Sequence, residues 1–254
     1  MCDDRKNHSP DAFAGLSVAV TGGTSGLGLA LVAELRGRGA EVALVARGRE
    51  RVVQVERKYR AHGIISDVSK KDEIYPLAMQ IVGRLGGLDV LINNASELGP
   101  TPLALLADTD CEDLEHALAT NLLGPFRLTK ALLGALGGSA RDGRGAVVVN
   151  VSSDAALTPY PTWGAYGVSK AALRHLSAIW NAELEAVGIH FLSFDPGDMD
   201  TPLHALAVPD ADPATLKRPH VAAQELADAV ALALPRQTSY INCPPTSALK
   251  GGDA

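Results

Sequence analysis

Short apolar runs and helix-period segments alternate along the chain. LSVAV (16–20), EVALVA (41–46), GIISD (63–67), LDVLIN (88–93), GAVVVNVS (145–152) and GIHFLSFD (188–195) read as strands, and SYINC (239–243) as a weak seventh. GAVVVNVS is β-branched and continuous, as a strand covered on both faces must be. Between the runs lie helical patterns. Leu31 and Leu35 share one face after Gly28, and an Arg/Glu-rich helix runs to about Arg60. A further helix is expected near 70–84. Leu114, Leu118, Leu122 and Phe126 recur every four residues in a helix near 112–136, and Leu173, Leu176, Trp180 and Leu184 line one from about 165 to 186.

Strands separated by helical segments indicate parallel crossovers. The expected fold class is α/β: a doubly wound, Rossmann-type parallel sheet of about seven strands with helices on both faces. Ligands bind such sheets at the carboxyl ends of strands. No linker or repeat divides the chain, so residues 14–254 read as one domain. The polar stretch MCDDRKNHSPDAF (1–13) reads as a flexible tail. HALAVPDADPATLKRP (204–219), rich in Pro, Asp and Ala, is a candidate substrate lid.

Composition narrows the function. Hydrophobic residues make up 46% of the 254, enough for a large core. The net charge is −6 without a dense basic run, which argues against nucleic acid. No apolar run approaches the roughly 20 residues of a membrane helix. Cys2, Cys111 and Cys243 are odd in number and lack ligand spacing, and the histidines are scattered, so a reduced, cytoplasmic compartment and no metal are expected.

VTGGTSGLG (20–28) follows the first strand and opens the first helix, with Gly22, Gly26 and Gly28 spaced G-x-x-x-G-x-G. Glycines there permit a tight turn and let backbone approach a pyrophosphate, and the helix N-terminus offers free N–H groups. Thr24, Ser25 and Leu27 complete the candidate phosphate turn. At the end of the second strand, where a carboxylate would bind a ribose hydroxyl, stand Ala46 and Arg47. A guanidinium there suits a 2′-phosphate, so NADP is expected rather than NAD. WGAYGVSK (163–170) places Tyr166 and Lys170 on one helical face, four residues apart.

Together the glycine turn, NNAS (93–96), Asn121 in TNLLGPF, NVSS (150–153), YGVSK (166–170) and DPGDMDT (195–201) resemble the short-chain dehydrogenase/reductase family over nearly the whole chain. The resemblance implies hydride transfer between a nicotinamide and a carbonyl/alcohol pair, on a tetrad that falls on Asn121, Ser153, Tyr166 and Lys170. Ser153 lies thirteen residues ahead of Tyr166, an interval that favours it over Ser152. Tyr166 would be the acid or base, its pKa lowered by the Lys170 ammonium and by the positive nicotinamide of the oxidised cofactor. Lys170 would also bond the nicotinamide ribose, Ser153 the substrate oxygen, and Asn121 a water behind Lys170. Asp67 and Val68 would meet the adenine, Asn94 and Ala95 the adenine ribose and the back of the nicotinamide. Pro196, Gly197, Met199 and Thr201 would hold the carboxamide. A homo-oligomer, dimer or tetramer, is also implied.

Three departures stand out, one of them a compact segment from Arg47 to Asp67 at the adenine edge. Ser96 replaces the family's usual glycine, which would be strained if the backbone there has positive φ. The C-terminal SYINCPPTSALKGGDA lacks the family's VDGG-like ending. The alternative function is a cofactor-binding sensor without turnover. Leu157, Pro159, Tyr160, Trp163, Leu203 and Leu206 are expected to face a partly apolar substrate.

Overall fold

The computed structural model describes residues 13–235. Six strands form one parallel sheet: β1 (Ser17–Thr21), β2 (Glu41–Ala46), β3 (His62–Ile65), β4 (Val90–Asn93), β5 (Ala146–Val151) and β6 (Ile189–Phe194). Their spatial order is β3-β2-β1-β4-β5-β6, so the winding reverses between β1 and β4. That switch point is where a crevice opens outside the carboxyl ends. The seventh strand expected at 239–243 lies outside the described residues. So does the expected tail, apart from Phe13, which is fully buried in the core.

Helices cover both faces. Val18 and Val20 of β1 turn to one face with Val42, Leu44, Val90 and Ile92, and pack against α1 (Gly26–Gly37) and α2 (Arg49–Tyr59). Ala19, Ala43, Val45 and Leu91 turn to the other face, under α3 (Ile74–Leu85) and residues of the two long helices described next. The period-two split holds even though the strands carry no polar alternation, because both faces are covered.

The helix expected near 112–136 is three pieces. α4 (Cys111–Leu118) passes through a π-helical turn at Ala119–Leu123 into α5 (Gly124–Arg141). Pro125, at the first turn of α5, has no N–H to give the preceding turn. A Cβ on Gly124 would come within 2.7 Å of the Val68 carbonyl oxygen, so glycine lets α5 start close under that loop. α6 (Gly164–Leu184) matches its expected span closely. α7 (Pro202–Ala207) and α8 (Pro219–Ala233) follow. Nothing in the reading above anticipates α8, which buries Ala222, Ala223, Leu226, Ala227 and Val230 and is tied to the end of α1 by Arg38–Asp228 at 2.6 Å.

A buried polar chain joins the central strands just below their carboxyl ends. Asn93 and Asn150 are register partners. Asn93 Nδ2 donates to Asn150 Oδ1 at 2.8 Å, and Asn150 Nδ2 donates to Ser177 Oγ of α6 at 2.8 Å. Buried amides without partners are costly, so Asn150→Ala is expected to destabilise the fold by about 2 kcal/mol, measured as a shift in urea midpoint at constant slope.

Candidate active site

A cleft of about 1170 Å³ crosses the carboxyl ends of the sheet at the switch point. That exceeds the ~300–1,000 Å³ common for a single small ligand, and it suits an extended cofactor with a substrate beside it. All seventeen residues expected to bind cofactor line it: Gly22, Thr24, Ser25, Gly26, Leu27, Gly28, Arg47, Asp67, Val68, Asn94, Ala95, Tyr166, Lys170, Pro196, Gly197, Met199 and Thr201. Ser153 lines it too.

The glycine turn is built by crowding. Gly22 has φ +69, where an L side chain is strained, and a Cβ there would lie 2.9 Å from Asn94 Nδ2. A Cβ on Gly28 would collide with the Gly22 carbonyl oxygen. Asn94 staples this turn to the end of β4, donating from Nδ2 to the Thr21 carbonyl at 2.9 Å. Thr21 Oγ1 in turn accepts from the amides of Asn94 and Ala95, both at 3.0 Å. No side chain caps the first amides of α1, which leaves them for an anion.

Arg47 is exposed at the end of β2, with Arg49 and Arg51 beside it on the cleft wall. Asp67 sits across from it. Burial pushes the Asp67 carboxyl up, but hydrogen bonds from Ser69 and the charges of Arg47 and Lys70 outweigh this and leave it below the usual carboxylate range. Its Oδ1 accepts from both the amide and the hydroxyl of Ser69.

Tyr166 and Lys170 are buried on the first turns of α6, at 8% and 2% exposure. Lys170 Nζ donates to the Val151 carbonyl at 2.8 Å and lies 5.4 Å from the Tyr166 ring centre. Burial holds the ammonium down to about 7. Burial also pushes the Tyr166 phenol up to about 12; the hydroxyls of Ser153 and Ser96 work against this, while Asp195 and Asp154 reinforce it. The expected lowering of the tyrosine by its lysine is therefore not what the protein alone does. Desolvation moves each group away from its charged form, and it dominates both.

Ser153 Oγ donates to Asp154 Oδ1 at 2.9 Å and accepts from the Ala155 amide at 3.2 Å. Asn121 lies in the π-helical turn, fully buried behind the cleft wall. Its Oδ1 accepts from the Glu97 amide at 2.8 Å. Its Nδ2 donates to the Glu97 carbonyl at 2.7 Å and to Ser169 Oγ at 2.8 Å. Both amide protons are engaged, so the side chain clamps the loop after β4 to the residue preceding Lys170. Ser96 does not have positive φ, and the strain expected of it is absent.

The outer wall comes from Tyr160 and Trp163, from Leu203 and Leu206 of α7, and from residues beyond α7 up to Leu216. The lid candidate is closed at its base by a bridge between Met199 and Lys217. Leu157 and Pro159 turn away into a shallower neighbouring groove, contrary to expectation. The sequence reading passed over Glu97, Leu98, Asp154, Asp195, Asp198 and His204, all on the cleft wall. A carboxylate beside a serine at a strand end looks like an ordinary polar turn, and only the fold brings Asp154 over the cleft. Among the described residues no helix is long and apolar enough to cross a membrane.

A model of the short chain dehydrogenase family matches residues 17–212. The chain is 29% identical to a glucose 1-dehydrogenase of Gluconobacter oxydans over 91% of its own length and 89% of the relative's. It is 34% identical to an uncharacterized oxidoreductase of Mycobacterium tuberculosis over 76% of its length, and the match spans 58% of that longer protein. Among solved structures, a short chain dehydrogenase of Shigella flexneri complexed with NADP superposes with a TM-score of 0.78 at 26% identity, covering 84% of this chain and 89% of that one. One from Pseudomonas syringae reaches 0.81 at 28% identity, covering 91% and 94%.

Proposed function

Because the chain belongs to the short-chain dehydrogenase family, we propose that it is an NADP(H)-dependent oxidoreductase acting on a carbonyl/secondary alcohol pair. The observation that carries this reading is the convergence in one cleft of a glycine turn, an arginine at the end of β2 and a buried Tyr166–Lys170 pair beside Ser153. The residues fit the cofactor. Uncapped α1 amides and the crowded glycines suit a pyrophosphate, and Arg47 suits a 2′-phosphate.

The nicotinamide supplies or accepts the hydride. The chain does the rest. Tyr166 gives a proton to the carbonyl oxygen in reduction and takes it from the alcohol in oxidation. Its buried phenol, held near 12, is a reluctant acid, so a nearby positive charge has to help it ionise. Lys170, fixed by the Val151 carbonyl, would give that help and bond a ribose hydroxyl. Ser153 holds the substrate oxygen next to Tyr166. Asn121 is a positioning residue that fixes the approach of Glu97 to α6. A homo-oligomer accords with the outer face of α6, where Val168 and Ile179 are 50% and 44% exposed.

The test is NADPH oxidation against a panel of aldehydes and ketones, followed at the nicotinamide absorbance band, with NADH run in parallel. NADPH is expected to support faster turnover. Arg47→Ala should weaken NADPH affinity by roughly ten- to a hundredfold, on the order of 1.5–3 kcal/mol for a charge-assisted bond, and leave NADH nearly unchanged. Equal loss for both cofactors would remove Arg47 from 2′-phosphate recognition.

A further inference from the structure

The two ends of the cleft differ in charge. The cofactor end carries Arg47, Arg49 and Arg51 beside Glu50 and Asp67. The other end carries Glu97, Asp154, Asp195, Asp198 and Asp212, beside Lys170 and His204. Lys170 is held by the Val151 carbonyl, and His204 lies 3.7 Å from Asp198. Among the described residues, Glu97, Asp154, Asp195 and Asp212 make no ion pair. Apolar wall is provided by Trp163, Leu203 and Ala207, packed round Tyr166.

Asp154 is the acid joined directly to the reaction centre. Its Oδ1 accepts the Ser153 hydroxyl at 2.9 Å, and its Oδ2 accepts the Tyr160 hydroxyl at 2.8 Å. Tyr160 returns from six residues on to fix the carboxylate at the cleft mouth. The Ser153 proton is thus held by Asp154 and is not free for a carbonyl oxygen beside Tyr166. A donor on the substrate that took over Asp154 Oδ1 would free that proton for the carbonyl. Burial pushes the Asp154 carboxyl up, but the bonds from Tyr160 and Ser153 outweigh it, so the group is ionised near neutrality.

We infer that the substrate carries a hydrogen-bond donor, a hydroxyl or a protonated amine, on the carbon next to its carbonyl, received by Asp154, and that the pocket rejects a carboxylate or phosphate in that place. Asp154 is then the specificity-determining residue of the cleft. A second negative charge against the ionised Asp154 would be repelled, with Lys170 already bonded to the Val151 carbonyl, which is selection by exclusion as well as attraction. The inference rests on the oxidoreductase reading above.

The experiment uses the full chain with NADPH and four ketones on one skeleton: acetophenone, its α-hydroxy and α-amino derivatives, and phenylglyoxylate. The expected order of kcat/KM puts the hydroxy and amino ketones first and phenylglyoxylate last, with a span of at least about tenfold, or ~1.4 kcal/mol. Whichever of the first two leads identifies hydroxyl or ammonium as the donor. Asp154→Asn should compress the span, most sharply between the amino ketone and phenylglyoxylate, with NADPH affinity unchanged. Tyr160→Phe should compress it less. An unchanged order in Asp154→Asn overturns the inference, as does an equal drop in kcat for all four ketones, which would make Asp154 a support for Ser153 only. If no ketone turns over, binding of the matching amine and carboxylate to the protein–NADP complex separates the two failures. An amine preference that Asp154→Asn abolishes upholds the pocket's selectivity and sinks the reductase reading. Equal binding of both sinks the inference.

Discussion

Tyr166→Phe is expected to lower kcat by about a thousandfold while leaving NADPH affinity within a few fold, because it removes one hydroxyl and keeps the ring. The ring is part of a small apolar cluster with Leu98 and Ala155, and it meets Trp163 edge-on at 5.7 Å between centroids. Phenylalanine preserves that packing, so the variant should fold with an unfolding midpoint close to the parent's. The phenol's burial explains the size of the effect. The other titratable protons near Ser153 are engaged elsewhere: Lys170 gives its Nζ to the Val151 carbonyl, and Tyr160 gives its hydroxyl to Asp154. Steady-state kinetics beside a cofactor titration check both halves. A variant as active as the parent would dismiss Tyr166 as the acid.

The second large effect belongs to Lys170. An ordinary lysine holds its proton to 10.5, and this one releases it at about 7 because the side chain is fully buried. Between those values the unfolded chain binds more protons than the folded one, so stability of the cofactor-free protein rises with pH across that window. At and below pH 7 the buried ammonium weakens the fold by its full desolvation cost. Tyr166 has the opposite sign: its folded value near 12 exceeds the ordinary 10, so its contribution is lost above pH 10. Lys170→Met keeps the volume and discards the charge. It should be more stable than the parent near pH 7, with a flat profile up to pH 10 in urea midpoints, and should turn over at least about a hundredfold more slowly. A gain in stability with a loss of activity is the signature of a functional group buried at the expense of the fold. A parent profile already flat from pH 7 to 10 would contradict the assigned burial effect.

The sheet was legible because its strands are unbroken aliphatic runs at crossover spacing, and β1, β2, β4 and β5 fall where those runs lie. Chemistry tied to local spacing was legible as well: Tyr166 and Lys170 by their helical offset, and Gly22, Gly26 and Gly28 by the turn they force. Three features were not. The π-helical turn around Asn121 changes which amide meets which carbonyl without changing residue type, so the four-residue leucine repeat ran straight through it. α8 is rich in alanine, and its buried Ala222, Ala223 and Ala227 give little hydrophobic contrast against the neighbouring exposed positions. Side-chain direction was hidden too. Nothing in WGAYGVSK tells that Nζ of Lys170 ends on a carbonyl, nor does NVSSD tell that Asp154 takes the serine proton while Leu157 turns to another groove.

Direct transfer of hydride is the central claim, and one measurement addresses it. The purified protein is given NADPH deuterated at the transferable position, together with a carbonyl compound from the reactive panel, and the alcohol product is analysed by mass spectrometry. One deuterium on the carbinol carbon, formed in step with cofactor oxidation, is the predicted result. NADPH bound by the protein, with no deuterated alcohol formed from any carbonyl in a broad panel, would contradict it and leave a cofactor-binding protein without turnover.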